Sequence, residues 1–504
     1  MASDCDLTRM IHRAGSAKQH AGVLVAGAVV GGLGALGAIL VHNARALAPT
    51  PIPNPLAPSL AKGSDESVKR FQEMLRIPTV WGRENPDADH EPFDRFVPRM
   101  RELYPRTFSQ LELTMINQYG ILLKWEGEDS SLAPVVLMAH HDVVAADPQT
   151  WTHDPFAAEI EGGRIYARGS LDTKCLLAGL YEATETLLAE GFTPPRTVYL
   201  WSSNCEEDNG DTTPCVVKYL KDHDVNPAFV LDEGGAIIDN PPLGIDKNMA
   251  VVGVSEKGLV NIHITVRSEG GHSSTPSKDD ATVRLIEGLQ KLMNMQPEAR
   301  LSEPVEAMLC ELGSYGSFPL KLVFGNMWLF RPLVVAIMKR NPETAATVRT
   351  TYALTELKGS DAANVLPKEA HATVNIRVDP AETVAQAVAR VRECFDDDVE
   401  FELFDNFEPS HISPRDQPYD YIRRVVHSVY PQAGIMPYIQ SSSSDARHMS
   451  LEFEHVYRFA GILYRGSQRG TIHGQDENID VESFKRGVGF YTQLIRNLDS
   501  FEGE

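Results

Sequence analysis

Val135-Val136-Leu137-Met138-Ala139-His140-His141-Asp142 opens as an apolar strand and closes on three side chains able to bind metal. A short unbroken apolar run of this kind is how a strand buried on both faces is written, and such strands belong to parallel sheets covered by helices. The same grammar recurs downstream. Thr197-Val198-Tyr199-Leu200-Trp201 leads into Cys205-Glu206-Glu207-Asp208, and Ala228-Phe229-Val230-Leu231 leads into Asp232-Glu233-Gly234-Gly235. Between them Leu176 to Glu190 reads as a helix closed by Gly191. From about Ser64 the alternation predicts an α/β fold with a mostly parallel sheet. Ligands of such sheets bind beyond the carboxyl ends of the strands, so these three ends converge on one crevice.

A different texture begins near Glu256. Asn261 to Arg267 alternates as a half-buried strand, and a helix follows from about Asp280 to Asn294. Ala372 to Val378 alternates again, Pro380 closes it, and a helix runs through about Cys394. Two strand–helix units predict a smaller α+β domain over 256–385, inserted between catalytic segments 64–255 and 386–504. Within it Phe318 to Met338, including Trp328-Leu329-Phe330, is apolar and aromatic. Core or lid packing and a wall for an apolar substrate group are equal readings of that stretch.

At the other end, Ala21 to Val41 carries no charge. As a helix rising ~1.5 Å per residue it would reach about 30 Å, the thickness of a bilayer core. Arg9, Arg13 and Lys18 precede it and Arg45 follows. This favours a cytoplasmic tail over 1–20, an N-terminal transmembrane helix over 21–41, and a catalytic part on the lumenal or extracellular side of a vacuolar or secretory membrane. Ala44-Arg45-Ala46 offers the rival, a cleaved signal and a secreted protein. Pro49, Pro51, Pro53, Pro55 and Pro58 make 42–63 an extended linker. Gly32-Leu33-Gly34-Ala35-Leu36-Gly37 has dinucleotide-loop spacing, but no carboxylate follows before Asp65; its glycines suit close helix packing instead.

Composition narrows the partners. With 47 basic and 69 acidic side chains in 504 residues the net charge is −22, which repels phosphate backbones and excludes nucleic acid. Hydrophobic and charged fractions of 42% and 23% exclude wholesale disorder and a multi-span membrane protein. Cysteines 5, 175, 205, 215, 310 and 394 form no C-x-x-C pair, so neither a disulfide framework nor a thiolate zinc site is expected.

Two further fragments complete the set: Arg168-Gly169-Ser170-Leu171-Asp172-Thr173-Lys174, a carboxylate on a turn entering a helix, and Thr471-Ile472-His473-Gly474. Each fragment is weak alone. Together with Met138 to Asp142, Glu206-Glu207, Leu231 to Gly235 and Gly270-Gly271-His272-Ser273, they resemble the aminoacylase/carboxypeptidase family of di-zinc hydrolases, over about residues 66 to 498. Ser317 to Leu320, Asn326 to Phe330, Asn364 to Pro367 and Asn375-Ile376-Arg377 look like its carboxypeptidase S and N-fatty-acyl-amino-acid synthase/hydrolase branch.

The resemblance implies an exopeptidase-type catalytic domain with an inserted lid or dimerisation domain, and two Zn2+ per chain. His140, Asp172 and Asp232 would hold one ion and Asp172, Glu207 and His473 the other, with Asp172 bridging. These are nitrogen and oxygen donors that zinc accepts. Asp142 lies two residues after His140, on the same strand face, and would accept its second imidazole N–H; His141 faces away and reads as structural. Glu206 matches the general base. His272 matches an oxyanion donor. Arg377 and Asn364 match contacts to the substrate carboxylate, with Arg447 a second candidate. The implied reaction is cleavage, and reversibly formation, of the amide between an acyl or peptidyl group and an amino acid. A Gly-X-type carboxypeptidase or dipeptidase is the alternative. An inactive membrane-tethered binding protein would lack a ligand, and none is missing. Expected partners are a small-molecule substrate, the membrane through 21–41, and a second copy through the inserted domain.

Overall fold

The computed structural model describes residues 34–82 and 90–501. These fall into two compact units, one formed by the chain up to Thr50 with Leu309–Val334, the other by Pro51–Met308 with Val335–Glu504.

The larger unit is built on a ten-stranded sheet. Its centre is three neighbouring strands, Val198–Ser203, Val135–His140 and Phe229–Asp232, paired parallel and buried throughout. Val456–Arg458 continues the parallel order. Alternate residues feed two separate cores: Val135, Leu137, Phe229 and Leu231 one layer, Val136, Met138, Val230 and Ala446 the other. Helices cover both faces, which is why these strands carry no polar residue until they end.

The sheet is mixed rather than mostly parallel. Glu112–Ile116 and Gly120–Trp125 form an antiparallel hairpin that pairs antiparallel with Val198–Ser203. Asn117 and Gln118, at φ 46° and 70°, turn the chain straight back, and a turn that short permits only an antiparallel partner. Met249–Glu256 likewise meets Val456–Arg458 and Ile237–Ile238 antiparallel.

A second sheet of four strands has its own core. Its order is Thr351–Lys358, Glu369–Val378, Gly258–Arg267, Glu400–Phe407, all antiparallel. Val260, Ile262, Ile264 and Val266 alternate onto one face with Ala370, Ala372, Val374 and Ile376, under helices Ala281–Asn294 and Val384–Arg392. The module therefore extends past the boundary expected at 385. The alternating strand Glu400–Phe407 is too polar to announce itself as part of a core.

Two chain crossings join this module to the main sheet side by side. Ser255 Oγ donates to the Ser410 carbonyl at 2.9 Å, and Glu256 N–H donates to Ser410 Oγ at 2.7 Å. Gly258 sits tightly against Pro409.

In the smaller unit a helix over 34–46 lies with the bent helix pair Phe318–Phe324 and Met327–Met338. The expected anchor over 21–41 falls mostly outside the described residues. Among the described residues no single helix is long and apolar enough to cross a membrane. No helix or strand interrupts 47–64, the proline-rich segment.

Candidate metal centre

The carboxyl ends of the three central strands meet at one edge of the sheet, and His140, Glu207 and Glu233 at or just beyond them form two donor groups with Asp172 and His473 from neighbouring turns. In the first, His140 Nε2 lies 3.1 Å from Asp172 Oδ1 and 3.4 Å from Glu233 Oε1. In the second, His473 Nε2 lies 3.1 Å from Asp172 Oδ2 and 2.9 Å from Glu207 Oε2. Within each group the donor atoms all lie within 4.8 Å of one another. Asp172 gives one oxygen to each, the arrangement a bridging ligand needs.

The hydrogen bonding fits cations at these two points. His140 Nδ1 faces the Asp142 carbonyl oxygen at 3.0 Å and so carries a proton, which leaves Nε2 aimed at two carboxylates. His473 Nε2 faces two carboxylate oxygens at once, and one N–H cannot serve both well. A divalent ion between each imidazole and its carboxylates answers both conflicts. Glu207 Oε1, buried and without a hydrogen-bond partner, is a further open donor.

Charge follows the same logic. Burial pushes Glu207 up to about 7 and Glu233 up to about 8. Hydrogen bonds to Asp172 and Glu207 raise His473 to about 10. For Asp172 burial acts upward, but hydrogen bonds from His140 and His473 outweigh it and hold the carboxyl below its usual range. Without a cation the cluster holds protons in its place, and a metal binds by displacing them.

One expected ligand is corrected. Asp232 belongs to neither group; Glu233 stands in its place. Strand alternation turns Asp232 onto the face shared with Val230 and Ala446, where its Oδ2 accepts the Ala446 N–H at 2.7 Å. The chain leaves the strand one residue later. Gly234, at φ 119°, makes a turn in which a Cβ would lie 1.7 Å from Gln440 Oε1, so only glycine fits, and Glu233 is delivered to His140. Glu233→Ala is accordingly expected to lower bound metal by about one ion per chain. Asp232→Ala should keep both ions and lose about 1–3 kcal/mol of folding stability, since a buried N–H loses its acceptor. Metal mass spectrometry and urea midpoints on the two variants check this; metal loss confined to Asp232→Ala would restore the original assignment.

The remaining expected residues divide into two sets. Asp142 is buried beside His140, its Oδ1 3.3 Å from Nδ1 and its Oδ2 accepting the Glu207 N–H at 3.0 Å, so it ties the two donor groups together. Glu206 is buried one residue from the cluster, and Arg447 Nη1 lies 3.6 Å from its Oε1. His141 stacks on Phe96 with centroids 4.6 Å apart, on the opposite face as expected. The other set lies away from the main sheet: Arg377 on the second sheet, and His272 in a separate two-stranded ribbon, Gly271–His272 with Val365–Leu366. His272 pairs backbone to backbone with Val365, beside Asn364, whose carbonyl accepts the Ser273 N–H. His272 Nδ1 accepts the Ser274 N–H at 3.1 Å, which leaves the neutral ring's proton on Nε2. Arg377 donates to Ser443 Oγ at 3.2 Å. The hydrogen bonds of His272, Asn364 and Arg377 do not reach the five-donor cluster, so the structure does not assemble them with it.

Sequence reasoning missed Glu477. Its buried carboxylate accepts the Leu171 N–H at 2.7 Å, the Asp172 N–H at 3.1 Å and an Arg168 Nη1 bond at 2.6 Å, while Arg168 Nη2 donates to the Gly474 carbonyl. One buried ion pair thereby fixes the turn of Asp172 to the loop of His473. Four positions after His473 was the only available signal. Thr173 supports the strand end: its Oγ1 accepts the His140 N–H at 3.2 Å.

Comparison with known proteins agrees with this geometry. Residues 136–497 match the profile of peptidase family M20/M25/M40. The N-fatty-acyl-amino acid synthase/hydrolase PM20D1 of Xenopus tropicalis is 34% identical over 446 residues, 87% of each chain. A probable carboxypeptidase S-like 2 of Dictyostelium discoideum is 32% identical, covering 86% of each. The crystal structure of the M20 family metallo-carboxypeptidase Sso-CP2 from Sulfolobus solfataricus superposes with a TM-score of 0.65 at 16% identity, covering 86% of this chain and 99% of that one.

Proposed function

This chain belongs to peptidase family M20/M25/M40, a hydrolase acting on amide C–N bonds, and on that premise we propose that it is a di-zinc enzyme cleaving N-acyl amino acids, with the reverse acylation available to the same site. The observation that carries the proposal is the sharing of Asp172 between two donor groups of imidazole and carboxylate. His140, Asp172 and Glu233 would hold one zinc and Asp172, Glu207 and His473 the other. Bound there, the ions supply Lewis acidity that acidifies a water and polarises the scissile carbonyl.

The chain's own residues do the rest. Glu206, buried beside the ligands, takes the proton of the attacking water and returns it to the leaving amine. Asp142 holds the His140 ring in its Nδ1–H form. His272 has a neutral Nε2–H suited to an oxyanion, and Arg377 a guanidinium suited to the substrate carboxylate. Arg377 arrives from the second sheet and His272 from the two-stranded ribbon Gly271–His272 with Val365–Leu366, so substrate has to be enclosed between these elements and the metal edge for them to act.

A free carboxylate is common to acyl amino acids and short peptides, and the curated relatives include both kinds of enzyme. We favour the apolar acyl group on the strength of the first of these relatives. Hydrolysis of an N-oleoyl amino acid is expected to exceed that of a Gly-Leu dipeptide by about tenfold or more in kcat/KM, a difference of about 1.4 kcal/mol. The reverse order selects the carboxypeptidase reading. We further propose that Ala21 to Val41 anchors the chain with its catalytic part lumenal or extracellular; protection of the C-terminus from added protease in sealed microsomes checks it.

A further inference from the structure

The helix Met327–Met338, which runs out of the smaller unit past Val334, presents a face that a water-facing helix does not have. Around Met327–Met338, at about 100° per residue, Trp328, Leu329, Pro332, Leu333, Ala336 and Ile337 occupy one arc of about 180°. All six are exposed, Trp328 to 61%, and none is charged or polar. The opposite arc, Met327, Val334 and Met338, is buried. A surface helix sets a polar face against its buried one; this helix is apolar on both. Phe318 and Ile39, on the other two helices of the unit, are half exposed as well.

Three observations name what covers it. First, the helix over 34–46 is the end of the uncharged run Ala21 to Val41, and it is fastened to this bent pair. The fully buried Asn326 donates to the carbonyls of Leu40 and Leu322 at 3.0 and 2.9 Å and accepts from Asn43 Nδ2 at 2.9 Å. Thr50 donates twice to Glu311 Oε2. The Asn326 amide is satisfied internally at both its oxygen and its nitrogen, as a segment out of water requires. Second, Phe318–Phe324 and Met327–Met338, bent by 104°, are together as apolar as a membrane span, yet bent too sharply to cross as one helix. Third, in a chain of net charge −22, the segment Leu312 to Pro342 holds Lys321, Arg331, Lys339 and Arg340 and no acidic residue. Cations around an apolar face suit anionic headgroups around a hydrocarbon layer.

We propose that the helix Met327–Met338 lies in the surface of a lipid bilayer, with its Trp328–Ile337 face immersed among the acyl chains and Lys321, Lys339 and Arg340 at the headgroups. The proposal is independent of the catalytic reading. It adds to a single anchoring helix a second contact, more than 270 residues away in sequence, that would fix how the unit is turned on the membrane.

Tryptophan quenching tests it on the full chain in vesicles of phosphatidylcholine with phosphatidylserine, with and without brominated acyl chains. Flotation first reports whether the chain binds vesicles at all. Brominated lipid is expected to quench the emission of the wild type, and W328F should remove at least half of that quenching. Adding L333W to W328F should restore it, since position 333 lies on the same arc. Equal quenching in wild type and W328F, or no recovery in the double variant, overturns the proposal, whether the face is then covered by residues 1–33 or by a second copy. Failure to float overturns it too. No outcome depends on turnover, so an inactive enzyme would leave the result standing.

Discussion

Glu206→Gln is expected to retain both metal ions and to lose about 10²- to 10⁴-fold in kcat, the usual share of a positioned general base. Glu206 is in neither donor group, so its carboxylate is not needed to hold cations. Glutamine preserves the volume of a buried side chain and still meets Arg447, but it cannot take a proton. Burial pushes the Glu206 carboxyl well above its usual range, which moves it toward the pKa of an effective base at neutral pH. Metal content and single-turnover rates on the same preparation check the prediction. Near-normal turnover would remove Glu206 from the reaction.

Asp172→Ala should do more damage by a different route. Its two oxygens serve His140 on one side and His473 on the other, so one substitution opens both groups. Bound metal is expected to fall well below one ion per chain and activity by about 10³-fold or more, since the Lewis acid itself contributes several kcal/mol. Excess zinc should not restore it. A variant that kept one tightly bound ion with measurable activity would show that the two groups work independently and that the bridge is dispensable.

How far the sequence could be read depended on what each residue had to do locally. The three central strands were legible because burial on both faces leaves no room for polar residues between Val135 and Ala139. The antiparallel flank was not, since an edge strand and a central one share the same β-rich composition and only the turn at Asn117-Gln118 tells them apart. Four of the five candidate donors, His140, Asp172, Glu207 and His473, were legible through the family resemblance. The fifth was misassigned by one residue because alternation along a strand stops where the strand stops, and the φ of Gly234, which redirects Glu233, leaves no trace in hydropathy. Glu477 was invisible for a related reason: its work is done through backbone N–H groups, which every sequence has. His272, Asn364 and Arg377 were named through the resemblance, yet the structure keeps them on elements apart from the five-donor cluster: Arg377 on the second sheet, His272 in a two-stranded ribbon beside Asn364.

The paired crossing at Ser255-Glu256 and Ser410 has a mechanical consequence. Leu259, next to it, is in register with Arg377, whereas Arg267, at the far end of the same ten-residue strand, precedes His272 by only five positions. At about 3.3 Å per residue the two ends of that strand stand roughly 30 Å apart. Were the module to turn as one body about these two hydrogen-bonded chains, its two ends would move by very different amounts. A swing of about 10° would carry the His272 end some 5 Å and leave Arg377 displaced by about 1 Å or less. On the roles proposed for Arg377 and His272, the grip on a substrate's acid group and the reach toward its carbonyl would be set at different radii, and one small rotation would change the second with little effect on the first.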